Sequence, residues 1–405
     1  MSLGSDTTPL RQELEAALPD RPFGVRFWDG SELPATAAGG PLLTARSPRG
    51  VAHALLAPGQ LGLSRAYVSG ELEVDDLDAL IARMRDWQPP PIDAATRRRL
   101  LLGAARAVGI MRPPRRPSVE LRPRGKRHSV ARDRRAVRHH YDVSNEFFAL
   151  FLDDSMTYSC AIFEDPLSED ESLESAQERK LETVCTKLAL RPGERVLDVG
   201  CGWGSFPIHA ATKHGAHVVA ITLSEPQARL ARKRAAAAGV EDRVEIRVAD
   251  YRELSGERFD AIASIGMVEH VGAGQIDVYA RQLAGLLKPE GRLLNHGIAR
   301  LREGESEAGS FSERYVFPDA APLHLSRVLL ALERAGFVTE HVEGYAQHYA
   351  RTLTHWLTRL DANAEQAVRL AGAERMRVWR LYLRAARSGF ESGFTSIYQV
   401  RGRLA

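Results

Sequence analysis

The sequence predicts an α/β protein: a largely parallel sheet covered by helices on both faces, preceded by a small N-terminal α/β or α+β domain. Three observations lead there. Short apolar runs alternate with helical segments from about residue 195 to 300, the pattern of a sheet buried on both faces. A glycine-rich turn, "VLDVGCGWGSF" (Val196 to Phe206), stands between the first run and the first of those helices. No run of about 18 apolar residues occurs to span a bilayer as a helix.

In chain order, "PFGVRFWDGSEL" reads as strand, turn, strand, and "DLDALIARMRDW" as an amphipathic helix. "RRRLLLGAARAVGIM" follows, with Leu100, Leu101, Ala104, Val108 and Met111 predicted on one face. That face packs on a core or, flanked by arginines, lies on anionic lipid. Pro113, Pro114, Pro117 and Pro123 then forbid regular helix or central strand. Met111 to His140 holds eleven Lys/Arg against two acids, so this segment carries +9 of a chain whose total is +3. Each such cation near an anionic surface adds roughly 1 kcal/mol of attraction. The expected division is 1–110, a lipid-associated or dimerisation domain; 111–135, a basic Pro/Arg-rich linker; and 136–405, the main domain.

Within that domain, "HYDVSNEFFALFLDDSMTYSC" reads as helical and a long helix starts near Ser172. "GERVLDVG", "HVVAITL", "RVEIRVAD", "FDAIASIG" and "GRLLNHGIA" read as strands, with helices at "SFPIHAATKHG", "EPQARLARKRAAAAG" and "QIDVYARQLAGLLKP". Open parallel sheets bind ligands at the carboxyl ends of their strands, which gathers Gly200, Thr222, Asp250 and Glu269. After "FVTEHVEGY" a helical stretch from Tyr349 to about Phe390 precedes the final strand "FTSIYQVRGRL"; it reads as a lid or substrate-chamber insertion, or as plain core around Trp356 and Trp379.

A dinucleotide fingerprint wants G-x-G-x-x-G. Here Gly200, Gly202 and Gly204 alternate, Ser205 follows, and Asp198 precedes. A carboxylate beside such a turn suits a ligand with an ammonium group better than one with phosphate. Three sparse cysteines, Cys160, Cys185 and Cys201, form no CxxC pair; neither a disulfide framework nor a metal site is expected, and a reducing cytoplasm fits. The first twenty residues lack a charged-then-apolar signal pattern, so secretion is not expected.

The glycine loop resembles motif I of class I S-adenosylmethionine-dependent methyltransferases. "HYDVSNEFF", "MTYSCAIF", "LDVGCGWG", "ITLSEPQ", "ADYRE", "IGMVEHVG", "NHGI" and "YVFPD" occur in the order found in cyclopropane fatty acid synthases, from about His139 to Gln399. The N-terminal third also looks like the leading domain of the bacterial enzymes. "GQLGLSRAYVSGELEV" looks closest to an actinobacterial branch that includes 10-methylene fatty acid synthases, which make precursors of tuberculostearic acid. The resemblance implies a class I methyltransferase Rossmann-like sheet with a helical lid insertion. It also implies transfer of a methyl group to the cis double bond of an oleoyl-like phospholipid acyl chain, giving a cyclopropane or an exocyclic methylene.

It implies a bound bicarbonate as base, caged by Cys160, Glu269, His296, Ile298 (through its backbone) and Tyr349. Contacts to S-adenosylmethionine carry over to Tyr158, Ser159, Gly200, Thr222, Ser224, Gln227, Asp250 and Tyr251. Gly202 and Gly204 complete the loop, and Asp198 is added on charge grounds. No metal is implied. The protein would work at the inner membrane face as a peripheral protein and form a homodimer, with a reductase acting on any methylene product. Departures from the pattern are Ala161-Ile162 where relatives have an aromatic, Val268 for Phe, Gly297 for Thr, and Ala386 where some relatives carry a cysteine. A methyltransferase acting on nucleic acid should carry an Asn/Asp-Pro-Pro-Tyr type motif, and none occurs. A nicotinamide dehydrogenase fails on glycine spacing. A non-catalytic lipid-binding relative would have lost the cage positions, and all are kept.

Overall fold

A computed structural model describes residues 6–57, 59–108, 114–121, 132, 144–168, 170–301, 311–320 and 322–405. The basic segment, the "HYDV" half of its motif and Met111 lie almost wholly outside the described residues. The chain forms two compact units that are not contiguous in sequence. One comprises Met1–Arg122, Ala308–Tyr315 and Gly372–Ser388; the other comprises Pro123–Glu307, Val316–Ala371 and Gly389–Ala405.

In the first unit, β1 (Gly24–Arg26) and β2 (Glu32–Leu33) form the expected antiparallel pair around a turn at Gly30. With β3 (Leu42–Ala45) and β4 (Leu72–Val74) they make a sheet of order β2-β1-β3-β4, in which only β1 and β3 run parallel. The expected helix over "DLDALIARMRDW" is Leu77–Asp86, capped by the Asp76 carboxylate, which accepts from the Ala79 N–H. The helix Ala94–Val108 is a core element: Leu100 and Ala104 are buried, and Gly103 brings it against Leu10, whose Cα a Cβ there would meet at 3.2 Å. Leu101 departs from the expected face, being 39% exposed. Helix Ala373–Glu391 lies mostly in this unit, where the Arg384 and Arg387 guanidiniums hold Asp78 at 3.1 and 2.7 Å. The predicted helical insertion therefore divides between the two units.

The second unit is built on a seven-stranded sheet. Its strands are β5 (Arg195–Val199), β6 (His217–Thr222), β7 (Val244–Val248), β8 (Phe259–Ile265), β9 (Leu287–Arg300), β10 (Phe337–Gly344) and β11 (Thr395–Leu404). The order is β10-β11-β9-β8-β5-β6-β7. Every pairing is parallel except the two made by β11, which inserts antiparallel between β9 and β10. Strand order reverses between β5 and β8, the point at which an open sheet parts to admit a ligand. Apolar side chains cover both faces: Val196, Val218 and Ala261 contribute to one core, and Leu197, Val219 and Ile262 to the other.

One local expectation is corrected. After the short helix Asn145–Ala149 the chain does not stay helical through Cys160. The Asp153 carboxylate accepts from the Ser155 and Thr157 N–H groups, and Met156 adopts φ +56°. These side-chain bonds to nearby backbone compete with the helix and win. The segment Tyr158–Phe163 is left irregular, free to run along the site.

Candidate active site

The glycine turn owes its shape to backbone that other residues rarely adopt. Gly200 and Gly202 have φ of +92° and +52°, conformations costly for residues with a Cβ. The Gly200 and Cys201 N–H groups both donate to the Ile221 carbonyl, at 3.0 and 2.9 Å, pinning the turn to β6. Trp203, at its far side, donates from its indole N–H to Asn145 Oδ1 at 2.7 Å and packs on Phe148. The "SNEFF" and "CGWG" motifs thus meet.

A cleft opens at the carboxyl ends of the strands, bounded by the turn, by the irregular segment and by the loops after β6, β7 and β8. Tyr158, Ser159, Asp198, Gly200, Gly202, Thr222, Gln227, Asp250 and Tyr251 all line it. Gly204 and Ser224 do not. Gly204 starts the next helix, Ser205–His214, in a left-handed conformation, and a Cβ there would lie 3.1 Å from that of Ala231. Ser224 is the N-cap of helix Glu225–Ala237, its hydroxyl accepting from the Gln227 N–H. The Thr222 hydroxyl donates to Gln227 Oε1 at 2.7 Å, and the Arg252 guanidinium binds Asp250 through two bonds of 2.8 and 2.7 Å.

Asp198 is buried, and that burial pushes its carboxyl up to about 7 against the pull of the Lys180 ammonium. Lys180 is a cleft residue that the motif reading missed. It sits on helix Leu173–Lys187, fully buried, and donates to the Ser159 hydroxyl at 3.0 Å. Burial pushes it down to about 8, opposed by Asp153, Cys160 and Asp198. The signal was present, because Lys180 interrupts the apolar stripe Leu173, Ala176, Leu181, Val184. With its carboxyl pushed up to about 7, Asp198 should make affinity for an ammonium-bearing ligand rise with pH through about 7, until the ligand's own ammonium group loses its proton. Asp198→Asn should flatten that profile; calorimetric titration with S-adenosylmethionine across pH 5.5 to 8.5 checks it.

Beside the cleft, three of the predicted cage residues, Glu269, His296 and Ile298, occupy neighbouring strand ends. β8 pairs Ile265 with His296 of β9, and the Gly266 N–H donates to the His296 carbonyl at 2.8 Å. Glu269 follows in a tight turn, Val268–His270. Burial pushes its carboxyl up to about 7, with its own N–H and that of Ile298 acting the other way. Glu269 Oε2 is buried with no hydrogen-bond partner among the described residues, and so is His296 Nε2.

The tautomer of His296 follows from its neighbours. Lys187 Nζ donates to Gln399 Oε1 at 2.6 Å, which turns the Gln399 amide NH₂ toward His296 Nδ1 at 3.1 Å. Nδ1 accepts, so Nε2 carries the ring proton. Burial, then Lys180 and Lys187, pushes the imidazole down to about 3, keeping it neutral. Tyr345 stacks along the imidazole at 6.2 Å. Gln399, Lys187 and Tyr345 were not foreseen. Antiparallel insertion of β11, pairing Gln399 with His296, is what brings the first of them in.

Cys160 is buried, its thiol pushed well up by burial, with Sγ donating to the Ala161 carbonyl at 3.2 Å and lying 3.8 Å from that of Tyr345. Tyr349, on helix Ala346–Ala362, packs on Phe390 at 4.5 Å and on Trp356, which in turn stacks on Tyr158 at 5.1 Å. It reaches the cleft through that stack. The departures Val268 and Gly297 prove coupled. A Cβ on Gly297 would lie 2.1 Å from Val268 Cγ1 and 3.3 Å from Glu269 Oε2. Gly297→Ala should therefore displace the Val268 turn and lower turnover roughly tenfold or more, each tenfold being about 1.4 kcal/mol of barrier. Val268→Ala in the same chain should restore much of it, as steady-state kinetics of the single and double variants would report.

Residues 128–400 match the family model described as mycolic acid cyclopropane synthetase. The chain belongs to that family. A probable fatty acid methyltransferase of Mycobacterium tuberculosis, Rv3720, is 38% identical over 88% of this chain and 86% of its own. The tuberculostearic acid methyltransferase UfaA1 of the same organism is 31% identical, covering 93% and 87%. The cyclopropane-fatty-acyl-phospholipid synthase of Escherichia coli K12 is 32% identical, covering 85% and 84%. Among solved structures, the mycolic acid cyclopropane synthase CmaA1 complexed with SAH and CTAB superposes with a TM-score of 0.63 at 33% identity, over 67% of this chain and 98% of that one. The mycolic acid cyclopropane synthetase family is one of S-adenosylmethionine-dependent lipid methyltransferases, and this chain is such an enzyme. Its sheet is the class I methyltransferase sheet.

Proposed function

We propose that this enzyme transfers the S-adenosylmethionine methyl group to a cis double bond in an unsaturated, oleoyl-like phospholipid acyl chain, giving a cyclopropane or a 10-methylene product. The observation that carries the reading is the pair of buried polar atoms without a partner among the described residues, Glu269 Oε2 and His296 Nε2, set at neighbouring strand ends beside the cofactor cleft.

Tyr158, Ser159, Asp198, the Gly200–Gly202 backbone, Thr222, Gln227, Asp250 and Tyr251 would hold the cofactor, whose sulfonium supplies the electrophilic methyl. Asp198 suits its ammonium group, and Tyr251, packed edge-on against Tyr279, offers a face beside the adenine. An alkene is a weak nucleophile, so the protein's part is to align it and exclude water. The π pair forms the new C–C bond as the C–S bond breaks, and the other alkene carbon becomes cationic. A proton must then leave: from the new methyl with ring closure, or from the same methyl after a hydride shift to give an exocyclic methylene.

Glu269 and His296 suit a small oxyanion. The Nε2–H is a fixed donor, and a carboxyl near 7 can share a proton with the anion. Bicarbonate held there, between these groups, Cys160, the Ile298 backbone and Tyr349, would supply the base. Gly204 and Ser224 act in this reading by shaping the turn and the loop.

The same reading has the enzyme act from the inner face of the membrane. No helix among the described residues is long and apolar enough to cross it. The basic segment would draw it to anionic lipid, and vesicle sedimentation should weaken as salt is added. The N-terminal unit would serve that docking or a homodimer, and a reductase would consume a methylene product. Tritiated S-adenosylmethionine and vesicles test the core claim. Label should enter extracted lipid from oleoyl vesicles and not from fully saturated ones; equal labelling of both, or of neither, would refute it.

A further inference from the structure

Away from the cleft, two helices of the same unit bring together a set of metal-binding groups that methyl transfer does not use. Glu182 and Cys185 lie one turn apart on helix Leu173–Lys187, and His209 and His214 lie on helix Ser205–His214. The Cys185 sulfur and one ring nitrogen from each histidine all lie within 4.8 Å of one another. Glu182 Oε2 lies 3.0 Å from His209 Nε2 and 3.1 Å from His214 Nε2.

We propose that Cys185, His209 and His214 form a binding site for one divalent transition-metal ion of the zinc type, with Glu182 as the carboxylate that hydrogen-bonds to the two imidazoles. Around a tetrahedral ion with bonds of about 2.0–2.1 Å to nitrogen and oxygen, those donors sit roughly 3.3 Å apart. The sulfur and the two ring nitrogens, within 4.8 Å of one another, need to close by at most about 1.5 Å to reach that edge. One thiolate and two imidazoles favour a borderline-soft ion over magnesium or calcium, which take all-oxygen shells. Side chains from two helices supply three ligands and leave the fourth position to water.

The place of the site gives it a purpose. One helix carries Lys180 into the cofactor cleft, and the other begins at Ser205, directly after the glycine turn. An ion between them would fix these two walls of the cleft against each other and stabilise the fold by mass action. The rival arrangement is metal-free, with the Glu182 carboxylate simply bridging two imidazoles.

The test uses the full chain, stripped with chelator and titrated with Co²⁺. The site predicts one ion per chain, a thiolate-to-cobalt charge-transfer band in the near ultraviolet, and a rise in thermal midpoint with Co²⁺ or Zn²⁺. Cys185→Ser should lose the band, and His214→Gln, on the more exposed histidine, should weaken binding at least tenfold. Should Cys185→Ser fail to fold, the double variant His209→Gln/His214→Gln decides: loss of the band supports the site, and its persistence overturns it. Absence of the band in the unaltered chain, or its survival in Cys185→Ser, would also overturn it.

Discussion

Replacing Glu269 by glutamine is expected to lower turnover by about 10³, within the range of losses for a positioned acid–base group, while S-adenosylmethionine still binds with affinity within about twofold. The reasoning is local. Glu269 does not line the cofactor cleft, so the ligand should not register the change. Its carboxyl is buried and pushed up to about 7, and Oε2 has no partner among the described residues. Glutamine keeps the shape, and its amide can still accept from the Ile298 N–H, but the exchangeable proton is gone. A fall in kcat with unchanged cofactor affinity would mark an interaction needed in the transition state. Activity close to that of the unaltered enzyme would remove the cage from the account.

Lys180→Met should give the opposite signature. Removing one partner of a buried charge pair costs stability, but Asp198 can shed its charge by taking up a proton, so the variant should still fold. Cofactor affinity should nevertheless fall about tenfold or more at neutral pH, each tenfold being a pKa shift of about one unit at a linked group. Two losses cause this. The Ser159 hydroxyl loses its donor, and Asp198 loses the cation that holds its carboxyl down. Asp198 is then more fully protonated at pH 7 and less attractive to the ligand's ammonium group. The pH at which affinity rises should move upward in the variant, a change that a merely structural lysine would not produce. Calorimetry at several pH values, with thermal unfolding as the control for folding, measures both. Unchanged affinity and an unchanged pH profile would show that Lys180 serves packing alone.

The central sheet was legible because buried parallel strands are written as apolar runs closed by glycine and acid, as in Val196–Gly200 and Phe259–Gly266. Strand-end loops then had to converge, so nine of the eleven expected cofactor residues meet in one cleft. Gly204 and Ser224 lie outside its lining for a physical reason: spacing cannot tell a glycine that faces a cleft from one packed beneath Ala231, or a cleft-facing serine from a helix cap. The run after Ala149 has helical composition, but Asp153 captures two backbone N–H groups and the helix stops. Leu101 and the membership of helix Ala373–Glu391 depend on partners distant in sequence. So do the groups that orient His296, since Lys187, Tyr345 and Gln399 come from three separate elements. The metal-ligand cluster escaped notice because its cysteine and histidines are scattered over two helices rather than spaced as a motif.

The most direct measurement is carbon-13 NMR of the lipid formed from oleoyl phospholipid vesicles and S-adenosylmethionine labelled in its methyl carbon. The account predicts the label as a CH₂, joined to both former alkene carbons in a three-membered ring or double-bonded to one of them as an exocyclic methylene. Label found as a methyl group on oxygen or nitrogen of the head group would contradict it.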